Sequence, residues 1–144
     1  MFSYEITKEL NFSSKQMFDL IIDIEKYPEF LPWCKSTNIY DKSSNIFYSD
    51  MEIGFNLVKE KFTSKVTVSD SKEIYSEAIN GPFNKMHNLW QIKKISEEKC
   101  LITLKIEFDF RSFLLKNLMG KLFEVASSKM INAFEDRADF LYNN

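Results

Sequence analysis

Few residues in this sequence could do covalent chemistry: there is one histidine, His87, and there are two cysteines, Cys34 and Cys100. A cysteine beside an imidazole becomes a nucleophile when a third group orients the base. No such group suggests itself, and alternation around His87 places Met86 and Asn88 on the opposite side of a strand. We therefore expect His87 to face solvent and Cys34 to be a small buried hydrophobic residue.

Carboxylates could supply general acid–base catalysis if two of them faced one site. The pairs Asp23/Glu25 and Glu107/Asp109 follow the polar side of their segments, which indicates solvated surface. Glu60 falls on an apolar strand face, so it marks either the end of a sheet or a polar group in a pocket, and we favour the sheet end. A single histidine also excludes a multi-histidine metal site. We expect no catalytic residue and no metal ligand.

Composition favours a single domain over residues 1–144 and limits the classes of partner that it could bind. The net charge is −2 and the pI about 5.5, so we expect no DNA partner. Aromatic residues make up 15% of the chain, which suits a dense core or the wall of an apolar cavity. Charges near the first residue, unpaired cysteines and the lack of a long apolar run predict a cytoplasmic protein, at most peripheral at the inner membrane.

The elements that would position these residues follow from periodicity. Residues 2–10 alternate apolar and polar, which predicts a strand. Ser13 and Gln16 have the spacing of a capping box, so a helix should begin there. Pro28 is predicted to end that helix, and a second short helix is expected at 29–31.

From Trp33 to Phe110 apolar residues recur mostly at every second position, which predicts about six more strands. The clearest stretch is LITLKIEFDF at 101–110. Strands with one apolar and one charged face form an antiparallel sheet that packs on the core with one face and exposes the other to solvent.

One long helix is predicted to begin after Ser112 and to run to about Tyr142, because apolar residues repeat there at helical spacing. Gly120 is its weak point and marks either close packing or a bend. Only this helix is long enough to cover the sheet. We therefore predict an α+β helix-grip fold: a curved antiparallel sheet of about seven strands wraps a long C-terminal helix, two short helices follow strand 1, and a pocket lies between sheet and helix.

Several motifs of this chain are similar to those of one known family: YPEFLPWCKS at 27–36, GPF at 81–83 with Trp90 after it, FDFRSFLL at 108–115, Gly120 with Phe123, and MINAFEDRA at 130–138. The chain resembles the coenzyme Q-binding START-like family, which includes the bacterial ribosome association toxin A proteins and has also been labelled polyketide cyclase or lipid transport. The resemblance covers nearly the whole chain.

The resemblance implies a helix-grip fold that holds ubiquinone or a similar polyprenyl lipid in an apolar cavity. Such a protein supports respiratory electron transport without catalysing a reaction and requires no cofactor. Trp33 is expected to meet the ligand headgroup through its indole N–H, although a packed corner without ligand contact stays open for residues 27–36. The residues expected to line the cavity are Tyr27, Phe30, Leu31, Trp33, Phe83, Trp90, Phe108, Phe110, Leu118, Met119, Leu122, Phe123 and Met130.

Two other functions stay open. The first is binding to the large ribosomal subunit so that subunit association is hindered, which predicts a basic patch formed by Lys59, Lys61 and Lys65. The second is a polyketide aromatase or cyclase, which the shortage of acid–base groups disfavours. If the chain carries lipid, Lys116 and Lys121 are expected to contact an anionic membrane surface transiently during loading.

Overall fold

Seven strands form one antiparallel sheet, as predicted, in the computed structural model, which describes residues 1–55 and 58–143. The order across the sheet is β1-β7-β6-β5-β4-β3-β2. The strands are β1 (Phe2–Leu10), β2 (Cys34–Tyr40), β3 (Ile46–Phe55), β4 (Val58–Ser69), β5 (Glu73–Ala78), β6 (Phe83–Ser96) and β7 (Lys99–Phe110).

The sheet is a meander whose last strand pairs with its first. β2 to β7 each pair with the next strand along the chain, and β7 then pairs with β1, from Phe2 opposite Phe108 to Leu10 opposite Cys100. The chain therefore crosses from one edge of the sheet to the other between β1 and β2. This connection holds two short helices, α1 (Ser14–Ile22) and a 3₁₀ helix (Ile24–Glu29).

Helix α1 begins as predicted and ends earlier than predicted. The Gln16 N–H donates to Ser13 Oγ and the Ser13 N–H donates to Gln16 Oε1, both at 3.0 Å, which is a complete capping box. The expected end at Pro28 is wrong: the helix stops at Ile22, because Asp23 leaves the helical region (φ −83°, ψ 66°). Pro28 lies inside the 3₁₀ helix instead.

The terminal helix is divided in two, which corrects the prediction of one uninterrupted helix. α2 (Phe113–Ser128) and α3 (Met130–Tyr142) meet at Lys129, whose N–H is shared between two carbonyl oxygens at 3.2 Å each. Gly120 does not mark a close approach, since a Cβ added there would meet only Lys116 Cγ at 3.7 Å, and α2 continues through it. The break therefore lies nine residues beyond the glycine.

The core lies between the inner face of the sheet and the helices. Both layers contribute fully buried side chains, which confirms the predicted α+β architecture with one covered sheet face. The largest of them are Leu10, Met17, Ile21, Ile53, Ile74, Ile102, Leu104, Met119, Ile131 and Phe134.

Candidate functional site

A cavity lies inside this core, between the middle of the sheet and helices α2 and α3. Its wall is mostly aliphatic and aromatic and comes from the 3₁₀ helix, strands β3 to β7 and both C-terminal helices. The space open to the centre of a water molecule is about 90 Å³, whereas ligand pockets typically measure roughly 300–1,000 Å³. A ligand larger than a few water molecules therefore requires part of the wall to move.

The structure separates the predicted lining residues into two groups. On the cavity wall lie Tyr27, Leu31, Trp33, Trp90, Phe123 and Met130. Away from this cavity lie Phe30, Phe83, Phe108, Phe110, Leu118, Met119 and Leu122.

The segment that follows α1 forms one end of the cavity and is also a packed corner. The Tyr27 hydroxyl donates to the Ile21 carbonyl, and burial raises the pKa of Tyr27. Its ring meets Phe134 edge-on with centroids 5.2 Å apart. Phe30 packs on the same Phe134 ring, at 5.0 Å, and stays off the cavity wall. In this segment Phe30 therefore only packs in the core, whereas Tyr27 and Trp33 also line the cavity.

The phenylalanines at the opposite end of the inner face form a separate aromatic cluster. Phe83, Phe108 and Phe110 surround Phe123 of α2, with ring centroids 5.6, 4.6 and 5.9 Å from it. All are buried, and Phe123 alone of these four reaches the cavity. The cluster therefore fills the core between the sheet and α2 and holds Phe123 in place.

Helix α2 is apolar on both its buried and its exposed side. Met119 is fully buried, but Leu118 and Leu122 point to solvent, with Leu118 49% exposed. We call the exposed apolar residues of this helix the α2 stripe, which comprises Phe113, Leu114, Leu118, Leu122 and Val125. Lys116 and Lys121, which are predicted to contact an anionic membrane surface, are exposed on the same helix.

Polar side chains interrupt the cavity wall at a place that the sequence analysis did not predict. On each of four adjacent strands one polar residue stands within the inner, apolar face: Ser49 on β3, Ser64 on β4, Ser76 on β5 and Asn88 on β6. We call these four residues the polar strip. Ser49 pairs directly with Ser64, and Ser76 pairs directly with Asn88. A polar residue between two apolar ones at period two, as in Phe62–Ser64–Val66, is the sequence signal that could have revealed them.

Ser49 is the deepest member of the strip. Its side chain is 2% exposed, and its Oγ has no hydrogen-bond partner within the described residues. Ser127 of α2 faces the same cavity and is equally buried. Within the described part of the wall there is no Asp, Glu, His, Lys or Arg. The site can thus offer hydroxyl and amide hydrogen bonds in an apolar setting.

Cys34 and His87 do not form a dyad. Cys34 is buried at the start of β2, and burial raises the pKa of its thiol to about 12, so the reactive thiolate is scarce. His87 lies on the outer face of β6, 3.5 Å from Glu107 and beside the Tyr75 ring. Three strands separate β2 from β6. The expectation that Met86, Asn88 and Trp90 face away from His87 is correct, since all three line the cavity.

The lysines of β4 lie among carboxylates. Lys61 Nζ is 3.9 Å from Glu52 Oε2, and Lys65 stands opposite Glu77 of β5. Lys59 is exposed and stands opposite a glycine. The three cations therefore share the outer face with acidic neighbours. None of the helices described here is long and apolar enough to cross a bilayer.

Comparison with known proteins gives consistent similarity over nearly the whole chain. Residues 10–135 match the family described as polyketide cyclase / dehydrase and lipid transport. The ribosome association toxin RatA of Rickettsia prowazekii is 38% identical over 143 residues, covering 96% of this chain and 97% of that protein. The mitochondrial coenzyme Q-binding protein COQ10 of Dictyostelium discoideum is 35% identical over 144 residues, covering 97% of this chain and 70% of that protein.

Solved structures agree with the fold. The crystal structure of the Zhui aromatase/cyclase from Streptomyces sp. R1128 superposes with a TM-score of 0.83, covering 96% of this chain and 93% of that one. At 14% identity this likeness concerns the fold alone. The resemblance noted from the sequence is confirmed, and the chain belongs to the START-like polyketide cyclase/dehydrase and lipid transport family.

Proposed function

We propose that this chain binds a polyprenyl quinone such as ubiquinone, or a lipid of the same build, and carries it without catalysing a reaction. The observation that carries the proposal is the cavity itself: an apolar wall with a few neutral polar groups and, in its described part, no Asp, Glu, His, Lys or Arg. A polyprenyl tail costs roughly 0.8 kcal/mol per CH₂ in water, so an apolar cavity is what such a ligand needs. The similarity to a coenzyme Q-binding protein supports the same ligand class.

Loading requires the cavity to open, because its present space is small. The α2 stripe supports a membrane surface as the place where this occurs. Exposed apolar side chains together with the exposed Lys116 and Lys121 of the same helix suit shallow insertion at an anionic bilayer. Phe123 and Ser127 belong to the cavity wall and also to α2, so movement of this helix would change the cavity directly.

Extraction of the protein purified from a quinone-producing host tests the proposal. We expect mass spectrometry of the organic extract to show a polyprenyl quinone at close to one equivalent. A control purification of an unrelated protein of similar size from the same cells gives the background. A folded protein that yields no lipid above this background would contradict the carrier function.

A second candidate is association with the large ribosomal subunit, because proteins named ribosome association toxin RatA are among the similar sequences. The patch of Lys59, Lys61 and Lys65 has acidic neighbours, so it would have to act through individual lysines rather than through a strongly positive surface. Co-sedimentation with purified large subunits tests this function. Loss of co-sedimentation when the three lysines become glutamate would support it, and unchanged co-sedimentation would remove this patch from consideration.

A further inference from the structure

The polar strip has a geometry that the apolar core alone does not require. Its four residues lie on consecutive strands, and its two directly paired couples, Ser49 with Ser64 and Ser76 with Asn88, are neighbours on the inner face. Strands are spaced by about 4.8 Å, so the strip extends over roughly 14 Å across the middle of the sheet. All four side chains reach the same cavity.

Ser49 is the member of the strip that no hydrogen bond within the described residues accounts for. A hydroxyl that is buried without a hydrogen bond destabilises the folded state. The Ser49 Oγ nevertheless meets no partner in the part of the chain that the structure describes, and the residue lines the cavity. A ligand atom in the cavity would supply the missing hydrogen bond.

We infer that the polar strip is the headgroup subsite of the cavity and that it selects an uncharged group with oxygen acceptors, such as the carbonyl oxygens of a quinone ring. Serine hydroxyls and the Asn88 amide can donate to such oxygens. No cationic side chain is present in the described wall to compensate a phosphate or carboxylate, so a charged headgroup would be buried unpaired. The inference rests on the proposed carrier function and replaces Trp33 as the predicted headgroup contact.

The double substitution Ser49→Ala/Ser64→Ala tests the subsite, because it removes two hydroxyls and little volume. Binding of a short-chain ubiquinone is followed by quenching of Trp33 and Trp90, which both line the cavity. We expect the Kd of the ubiquinone to rise about 30-fold, a typical loss for two hydrogen bonds. A polyprenyl hydrocarbon of matched tail length without oxygen, measured by competition, should keep its affinity.

Ser69→Ala is the matched control, since Ser69 is an exposed residue at the end of β4 and should alter neither affinity. The thermal midpoint of the ligand-free double variant should be unchanged or higher, because a buried unpaired hydroxyl is removed.

The possible results separate the subsite from the carrier function. If wild-type protein binds neither probe, the carrier function itself is wrong. If wild type binds the ubiquinone and the double variant binds it equally well, the subsite is wrong and the carrier function stands. Equal loss of the ubiquinone and the hydrocarbon in the double variant would also overturn the subsite, because the two serines would then only shape the cavity.

Discussion

Arg137 Nη2 donates to Glu29 Oε1 at 2.7 Å and so joins helix α3 to the end of the 3₁₀ helix. The guanidinium also lies over two rings, 5.3 Å from the centroid of Phe30 and 5.2 Å from that of Phe140. Arg137 is largely buried although it is charged, with 12% of its side chain exposed. This contact holds the segment that contains Tyr27 against the helix that supplies Phe134 to the cavity wall.

Replacing Arg137 by methionine is expected to lower the free energy of unfolding by about 1–2 kcal/mol, because the hydrogen bond to Glu29 and the charge–ring attraction are lost while most of the apolar contact remains. Chemical denaturation at neutral pH measures the change. Lys26→Met serves as control, since Lys26 is an exposed residue whose ion pair with Glu29 is longer, at 3.6 Å. Equal effects of the two substitutions would show that the Arg137 contact adds nothing beyond surface charge.

Glu29 gives the same contact a pH dependence. The hydrogen bond from Arg137 lowers the pKa of the Glu29 carboxyl below its ordinary value. A carboxyl with a lowered folded-state pKa contributes stability that is present above its unfolded pKa and is lost as the pH falls through the folded value. Glu29→Gln should therefore destabilise the protein at pH 7, and the difference from wild type should shrink below about pH 4. A difference that is constant from pH 7 to pH 3 would contradict this assignment.

The fold can be predicted from the sequence because the apolar residues of the strands and helices recur with strong periodicity. Alternation over β7 and the capping box at Ser13 follow from local residue order, and both are present. The break at Lys129 is not predictable from the sequence, because no Gly or Pro lies there. The only glycine of this helix is Gly120, where the sequence analysis places the weak point. Local pattern does not encode where a nearly regular helix is interrupted.

Seven of the residues expected to line the cavity lie away from it, for a geometric reason. Phe83 and Trp90 are an odd number of positions apart, so strict alternation would put them on opposite faces of β6. Both are buried because the register shifts between Phe83 and Lys85, and Phe83, at the start of β6, stays off the cavity wall. Leu118 is predicted to line the cavity but is exposed, because α2 carries apolar residues on both its buried and its exposed side and its helical pattern has no unique inner side. Period-two spacing alone does not predict the polar strip, because it does not tell whether a serine between apolar residues lines a cavity.

The two cysteines should be inert in the folded protein. Burial raises the pKa of Cys34 to about 12 and that of Cys100 to about 11, so little thiolate is present at neutral pH. Reaction with a thiol reagent at pH 8 should be slow in buffer and fast in denaturant.

Stability should also fall as the pH rises. The contribution of the buried thiols is complete below the unfolded pKa of about 8.5 and is lost progressively as the pH rises from there toward the folded-state values of about 12 for Cys34 and about 11 for Cys100. Denaturation between pH 8 and pH 10.5 should show a downward slope that becomes smaller in Cys34→Ala. A slope that is identical in this variant would mean that Cys34 is as free to ionise in the folded protein as in the unfolded one.

The α2 stripe leads to a prediction about membranes. Burying one leucine side chain in an apolar environment gains roughly 1.5–3 kcal/mol, so Leu118→Glu should weaken binding to vesicles of anionic phospholipid by at least tenfold. Ile95→Glu is the matched control, because Ile95 is 48% exposed and Leu118 49%, and Ile95 lies near the end of β6. Vesicle co-sedimentation of both variants at equal protein concentration gives the comparison.

Charge should contribute to the same contact and should do so in a salt-dependent way. Each lysine near an anionic surface adds about 1 kcal/mol, so Lys116→Glu/Lys121→Glu should lose vesicle binding at low ionic strength and differ less from wild type at high salt. Neutral vesicles should not distinguish the double variant from wild type. If Leu118→Glu and Ile95→Glu weaken binding equally, the protein has no preferred face toward the bilayer. Loading through α2 would then have to be abandoned, although binding in the cavity would not be affected.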